Sequence, residues 1–108
     1  MAVPEISVEE LAGRLNEGGF LLDVRQPDEF VEAHVPGALL VPLDEVPVRA
    51  GELPADQEIL VICRSGARSH RAAEYLIAQH GLSAVNIAGG TLAWIESGRD
   101  IVVGSGPT

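Results

Sequence analysis

The chain has 108 residues, 46% of them hydrophobic, and carries a formal net charge of −9. That length suits one compact domain, and such a domain buries roughly two-thirds of its unfolded surface, so folding requires neither a disulfide nor a metal. The apolar fraction excludes a disordered segment, the acidic excess argues against phosphate backbones as partners, and a single cysteine, Cys63, excludes an internal disulfide.

The elements follow from caps, breakers and apolar spacing. Ser7-Val8-Glu9-Glu10 has the pattern of a capping box, with Ser7 capping and Glu10 reaching back. Leu11, Ala12 and Leu15 then recur at helical spacing, and Gly18-Gly19 ends the helix through a left-handed conformation. Phe20 to Val24 reads as a buried strand interrupted by Asp23. Pro27 can open a helix, with Asp28 and Glu29 suiting its positive end, and Val35-Pro36-Gly37 breaks it. Ala38 to Val41 is a further strand candidate. The stretch from Pro42 to Gln57 is irregular, with one short helix near Leu43 to Val46.

Glu58 to Cys63 contains Ile59-Leu60-Val61-Ile62, an apolar run typical of a central parallel strand covered on both faces. After a loop, Ser69, Ala72, Ala73, Leu76, Ile77 and His80 share one helical face, and Gly81 terminates that helix. Ala84 to Ile87 is another strand and Gly89-Gly90 a turn. Thr91 to Ser97 is a helix offering Leu92, Trp94 and Ile95 to the core, and the tail from Gly104 is expected to fray. Alternating strands and helices predict an α/β domain over residues 6–103, with a central, mostly parallel sheet flanked by helices on both faces. Ligands of such sheets sit beyond the carboxyl ends of the strands, where Asp23 and Cys63 both fall. No run of 18 apolar residues exists and the start lacks a signal-peptide pattern, so a soluble, cytoplasmic protein with no membrane or nucleic-acid partner is expected.

The chemistry concentrates after Cys63. All seven basic residues are arginine, and Arg64, Arg68 and Arg71 lie within eight residues of one another. This arrangement suits either a small anion or merely a solvated helix face. The order strand, tight loop, helix favours the anion. The first N–H groups of a helix have no partner, and a loop containing Gly66 can turn its own N–H groups inward. Negative charge there is stabilised by those donors, by the helix dipole and by the arginines, so the Cys63 thiolate is favoured and the sulfur becomes a nucleophile.

Cys63-Arg64-Ser65-Gly66-Ala67-Arg68-Ser69 resembles the active-site loop of rhodanese domains, in which six residues beginning with the cysteine cradle the sulfur. Three other segments agree in order and spacing. Leu22-Asp23-Val24-Arg25 followed by Glu29-Phe30 resembles the family's first conserved segment. Ala33-His34-Val35-Pro36-Gly37-Ala38 resembles the second, with Ala33 where glycine is usual. Gly89-Gly90 with Ala93-Trp94 resembles the closing one. The resemblance implies a sulfurtransferase. Its Cys63 thiolate attacks a sulfane sulfur, as in thiosulfate, and a thiophilic acceptor such as cyanide, a small thiol or a protein thiolate removes the outer sulfur. It also implies that the loop from Arg64 through Ser65, Gly66, Ala67 and Arg68 to Ser69 binds the substrate and the persulfide charge, with no cofactor. With one cysteine, the acceptor has to come from outside.

Several residues carry alternative readings. Arg68, at a helix start, needs an anion nearby, either the substrate or a carboxylate such as Asp23 or Glu29. Arg64 is placed for the mouth of the site. Asp23 and Arg25 are read as structural partners near the loop in preference to catalytic groups, and His34 as a turn-stabilising residue in preference to a general base. His70 and His80 lack metal-ligand spacing, so no metal site is expected. Two rivals remain. A cysteine phosphatase needs arginine six positions after its cysteine, where this chain has Ser69. A sulfur carrier docked to a partner is the other.

Overall fold

A computed structural model describes residues 2–107. Five strands, β1 (Glu5–Ile6), β2 (Phe20–Asp23), β3 (Leu39–Leu40), β4 (Ile59–Ile62) and β5 (Ala84–Ile87), form one sheet in the order β1-β5-β4-β2-β3. Every adjacent pair is parallel, with Leu21 opposite Leu60 and Leu60 opposite Val85. The sheet is therefore wholly parallel, where the sequence predicts a mostly parallel one. An isolated antiparallel bridge, His34 with Val102, lies outside it.

Side-chain alternation along β4 divides the core in two. Ile59 and Val61 point to one face, against Ala72, Ala73 and Leu76 of α4 (Ala67–His80). Leu60 and Ile62 point to the other, with Leu11 of α1 (Val8–Asn16), Phe30 of α2 (Pro27–Glu32) and Trp94 of α5 (Gly90–Glu96). Strand residues alternate faces at every position, so a strand covered on both sides favours apolar residues on both parities, as β4 has. Each such Leu or Ile contributes about 1.5–3 kcal/mol through burial.

Ser7 caps α1 as the sequence predicts, whereas the reciprocal capping box forms at α2, between Gln26 and Glu29. Glu10 N–H donates to Ser7 Oγ at 3.1 Å at the start of α1, and Gly18 takes φ +87° at its end. Gln26 N–H donates to Glu29 Oε1 at 3.1 Å at the start of α2. Between β3 and β4 the chain is more helical than expected, with 3-10 turns at Leu43–Glu45 and Ala50–Glu52 flanking α3 (Val46–Arg49).

Three expectations are corrected. Leu92 and Ile95 remain 43% and 42% exposed, because a seven-residue helix can turn only one side inward and α5 turns Gly90, Thr91 and Trp94. His80 lies exposed in the last turn of α4, with its Nε2 near Tyr75 Oη. The tail from Gly104 is tied down: Gly104 N–H donates to Val31 O at 2.8 Å, Gly37 N–H donates to Pro107 O at 2.7 Å, and His34 Nε2 meets Gly106 O at 2.7 Å. Among the described residues no helix is long and apolar enough to cross a membrane.

Candidate active site

Cys63 directly follows β4 and keeps the parity of Ile59 and Val61, so it joins the α4-side core and is only 1% exposed. Strand alternation thus delivers the sulfur beneath the first turn of α4. Gly66, at φ +116°, closes the loop in the left-handed region that favours glycine and caps α4. Its N–H donates to Cys63 Sγ at 3.1 Å, and Ser69 Oγ lies 3.2 Å from the same sulfur. Burial pushes the thiol pKa up, but the Ser69 hydroxyl and the N–H groups of Ser69, Gly66 and Ser65 outweigh it, and the net direction is down. Arg64, Ser65 and Ala67 face outward, as do His70 and Arg71 in the first turns of α4.

The loop is also held from behind. Thr91 donates to Cys63 O from its backbone N–H at 2.9 Å and from Oγ1 at 3.0 Å, and Leu92 N–H donates to Arg64 O at 3.1 Å. Such close approach requires glycine at position 90. A Cβ there would stand 2.5 Å from Cys63 O and 2.6 Å from Arg64 O, at φ +57°. Gly90→Ala is therefore expected to destabilise the domain by about 1–3 kcal/mol or more and to raise the Cys63 pKa as the loop is displaced. Urea unfolding and the pH profile of alkylation check both effects; an unchanged profile would mean the loop does not depend on this clamp.

Arg68 donates from both terminal nitrogens to the Glu29 carboxylate, at 2.7 and 2.8 Å. The carboxylate is one of the two partners expected for it, and the pair ties the start of α4 to α2. The Arg68 hydrogen bonds, against the opposing cost of burial, take the Glu29 carboxyl down to about 2, so the tether stays charged in mild acid. Asp23 and Arg25 form a buried ion pair: the Asp23 carboxylate accepts from Arg25 N, Nε and Nη2 at 2.9–3.1 Å. The same guanidinium donates to Glu29 O and Ala33 O, holding the middle and the C-terminal end of α2. Ala33 has φ −173°, extended backbone open to any residue, so the departure from glycine costs nothing here. His34 is fully buried, stacked on Phe30 with ring centroids 3.6 Å apart, and its Nδ1 meets Phe30 O at 2.8 Å. Its other ring nitrogen, Nε2, meets Gly106 O, so both nitrogens face backbone carbonyls.

Two concavities flank the loop. One, of about 210 Å³, is lined by Arg64, Arg25, Glu29, Leu92 and Ile95, which explains why the last two stay half-exposed. The other, of about 450 Å³, lies between Leu43, Val46, Pro47, Arg68, Arg71 and Tyr75. Among the described residues no cluster of three His, Cys, Asp or Glu side chains is arranged to hold a metal.

Two residues of the site escape the sequence reading. Thr91 passes for an ordinary first-turn residue. Asn86 is the one polar side chain in the buried β5 run Ala84-Val85-Asn86-Ile87, and that isolation is itself a signal, since a buried amide has to find partners. Its Oδ1 lies 2.5 Å from Ser69 Oγ, and its Nδ2 donates to Glu5 Oε2 at 2.9 Å and to Gly66 O at 3.2 Å.

Comparison with known proteins places this geometry. A family model described as "Rhodanese-like domain" matches residues 7–97. A protein of Allochromatium vinosum named "Sulfurtransferase" is 40% identical over 106 residues, spanning 96% of this chain and 99% of the relative. The crystal structure of a rhodanese-related protein from Thermoplasma volcanium superposes with TM-score 0.86 at 32% identity, covering 93% of this chain and 98% of the other. That of a thiosulfate sulfurtransferase from Pseudomonas aeruginosa gives TM-score 0.86 at 27% identity, covering 94% of this chain and 20% of that larger one. The four sequence segments, the parallel sheet and the cysteine cradle at the end of its central strand thus have one common explanation: the chain belongs to the rhodanese-like domain family.

Proposed function

We infer that the protein is a sulfurtransferase that carries sulfane sulfur as a persulfide on Cys63. The observation that carries this reading is the ring of donors closed on one sulfur: the Gly66 N–H at 3.1 Å and the Ser69 hydroxyl at 3.2 Å, at the N-terminus of the fourteen-residue α4. A thiolate and a persulfide are both anions, and this cradle favours each over its neutral form. The relatives support the same chemistry by name, one as a sulfurtransferase and one as a thiosulfate sulfurtransferase.

With thiosulfate as donor, the Cys63 thiolate attacks the outer sulfur. A new S–S bond forms, the bond to the sulfonate sulfur breaks, and sulfite leaves with its electron pair. The charge then rests on the outer sulfur of the persulfide, among the N–H groups of the loop. Cyanide or an external thiolate attacks that sulfur, the S–S bond breaks, and the Cys63 thiolate returns. Arg64, exposed at the rim, attracts the anionic donor, whereas Arg68 serves through Glu29 by holding the loop. The Cys63 residue itself is closed to solvent, which suits delivery of a single slim sulfur atom. Phosphate chemistry fits less well, because only four residues separate Cys63 from Arg68 and that arginine is bound to a carboxylate. A lone thiol that must remain unoxidised suits a reducing compartment such as the cytoplasm.

The test is intact-protein mass spectrometry after incubation with thiosulfate. The expected result is a gain of one sulfur atom, located on Cys63 and removed by cyanide with release of thiocyanate. Protein that gains no sulfur from thiosulfate, yet accepts it from a protein persulfide, would move the assignment from free thiosulfate turnover to a docked carrier.

A further inference from the structure

Proton counting around Ser69 leads beyond the sulfur chemistry. Asn86 Nδ2 faces the Glu5 carboxylate and the Gly66 carbonyl, which only accept hydrogen bonds. The amide is therefore locked in one orientation, with Oδ1 turned toward Ser69. The Ser69 hydroxyl thus confronts three acceptors, Asn86 Oδ1 at 2.5 Å, Cys63 Sγ at 3.2 Å and Gly66 O at 3.3 Å, and has one proton to give. Gly66 O is the longest of the three and already accepts from Asn86, so the contest lies between the amide oxygen and the sulfur.

We propose that Asn86 is a positioning residue that governs where the Ser69 proton points, drawing it from Cys63 Sγ toward its own Oδ1. While Cys63 is a thiolate, the sulfur competes for that proton. Once the charge has moved to an outer sulfur, Sγ has little call on it, and the hydroxyl returns to Asn86. Asn86 therefore tilts the balance from the empty thiolate toward the loaded persulfide, a consequence that rests on the function proposed above. Glu5, on the edge strand β1, holds the device in place from outside the loop. The other charges around the cradle are Arg64 on the loop, Arg68 with Glu29, and the Asp23–Arg25 pair.

A double-mutant cycle on the unloaded protein tests the coupling without any persulfide. The rate of alkylation by a neutral reagent is followed against pH in wild type, Asn86→Ala, Ser69→Ala and the double variant. Removing a competing acceptor frees a hydrogen bond for the thiolate, so Asn86→Ala should lower the Cys63 pKa by about half a unit to one unit. In the Ser69→Ala background the same substitution should leave the pKa unmoved. Less basic, the freed thiolate should take sulfur from thiosulfate about two- to threefold more slowly at saturating pH. If Asn86→Ala unfolds, Asn86→Leu, which keeps the volume within the strand, carries the same comparison. A shift of equal size in both backgrounds, or a rise with Ser69 present, overturns the proposal and leaves Asn86 a prop for the loop. A coupled shift in a protein that never loads sulfur would uphold the role of Asn86 and sink the persulfide reading instead.

Discussion

Cys63→Ser is expected to abolish sulfur transfer while leaving the domain folded. Removing a covalent nucleophile from a site whose other parts act only through it typically costs on the order of 10³-fold or more in rate. Serine is close to cysteine in size, and an oxygen at this position can still accept from the Gly66 N–H. The substitution should therefore remove the chemistry and spare the loop. The measurement is thiosulfate:cyanide turnover beside a thermal melt. Near wild-type turnover in a folded Cys63→Ser protein would show that sulfur never resides on this residue.

The largest expected loss of stability is at Arg25→Met. Asp23 is fully buried and Arg25 is 5% exposed, and three donors of Arg25 meet one carboxylate. Methionine preserves much of the aliphatic stem but removes the charge, leaving the Arg25 backbone N–H as the remaining partner of a buried anion. Breaking such a pair from one side costs about 3–5 kcal/mol, because the desolvated charge stays behind. Glu29 O and Ala33 O lose their donor at the same time. For a domain of this size Tm should fall by about 12 °C or more. Asp23→Asn combined with Arg25→Met removes both charges, and should recover part of the loss. If the double variant proves less stable than Arg25→Met by a further full increment, the two residues act independently and the ion-pair account fails.

Much of the fold is legible in the sequence because burial leaves a pattern. The run Ile59 to Ile62 has no polar interruption, and it is the central strand, covered on both faces. The spacing of Ser69, Ala72, Ala73 and Leu76 is the inner face of α4. What escapes reading has no such pattern. Strand β1 is two residues long, too short for any period, and is defined by its pairing with β5. The tail is held through backbone groups, which every residue shares. Leu92 and Ile95 are apolar but line a concavity beside Arg64, and composition alone does not separate a cavity wall from a core. At the site, the loop is legible because its residues are consecutive. Asn86 and Thr91 join it only through the crossover that lays β5 and α5 beside β4, and for Arg68 charge alone leaves open whether its partner is a ligand or Glu29.

The clamp between α5 and the loop carries one more consequence. A trans peptide unit is planar, with its C=O and N–H pointing in opposite directions. Thr91 holds the carbonyl of Cys63 and Leu92 holds that of Arg64. Each grip therefore rotates a whole amide plate, and the N–H groups on the far sides of those plates, belonging to Arg64 and Ser65, are turned away from α5. The Ser65 N–H is among the donors that lower the Cys63 pKa. Helix α5 thus aims dipoles at a sulfur it never touches, as fingers behind a hinge set the angle of a shutter. Sequence changes that shift the axis of α5, including some around the Trp94 Nε1–Asp100 O anchor at 2.8 Å, should be felt as a change of electric field at the thiol.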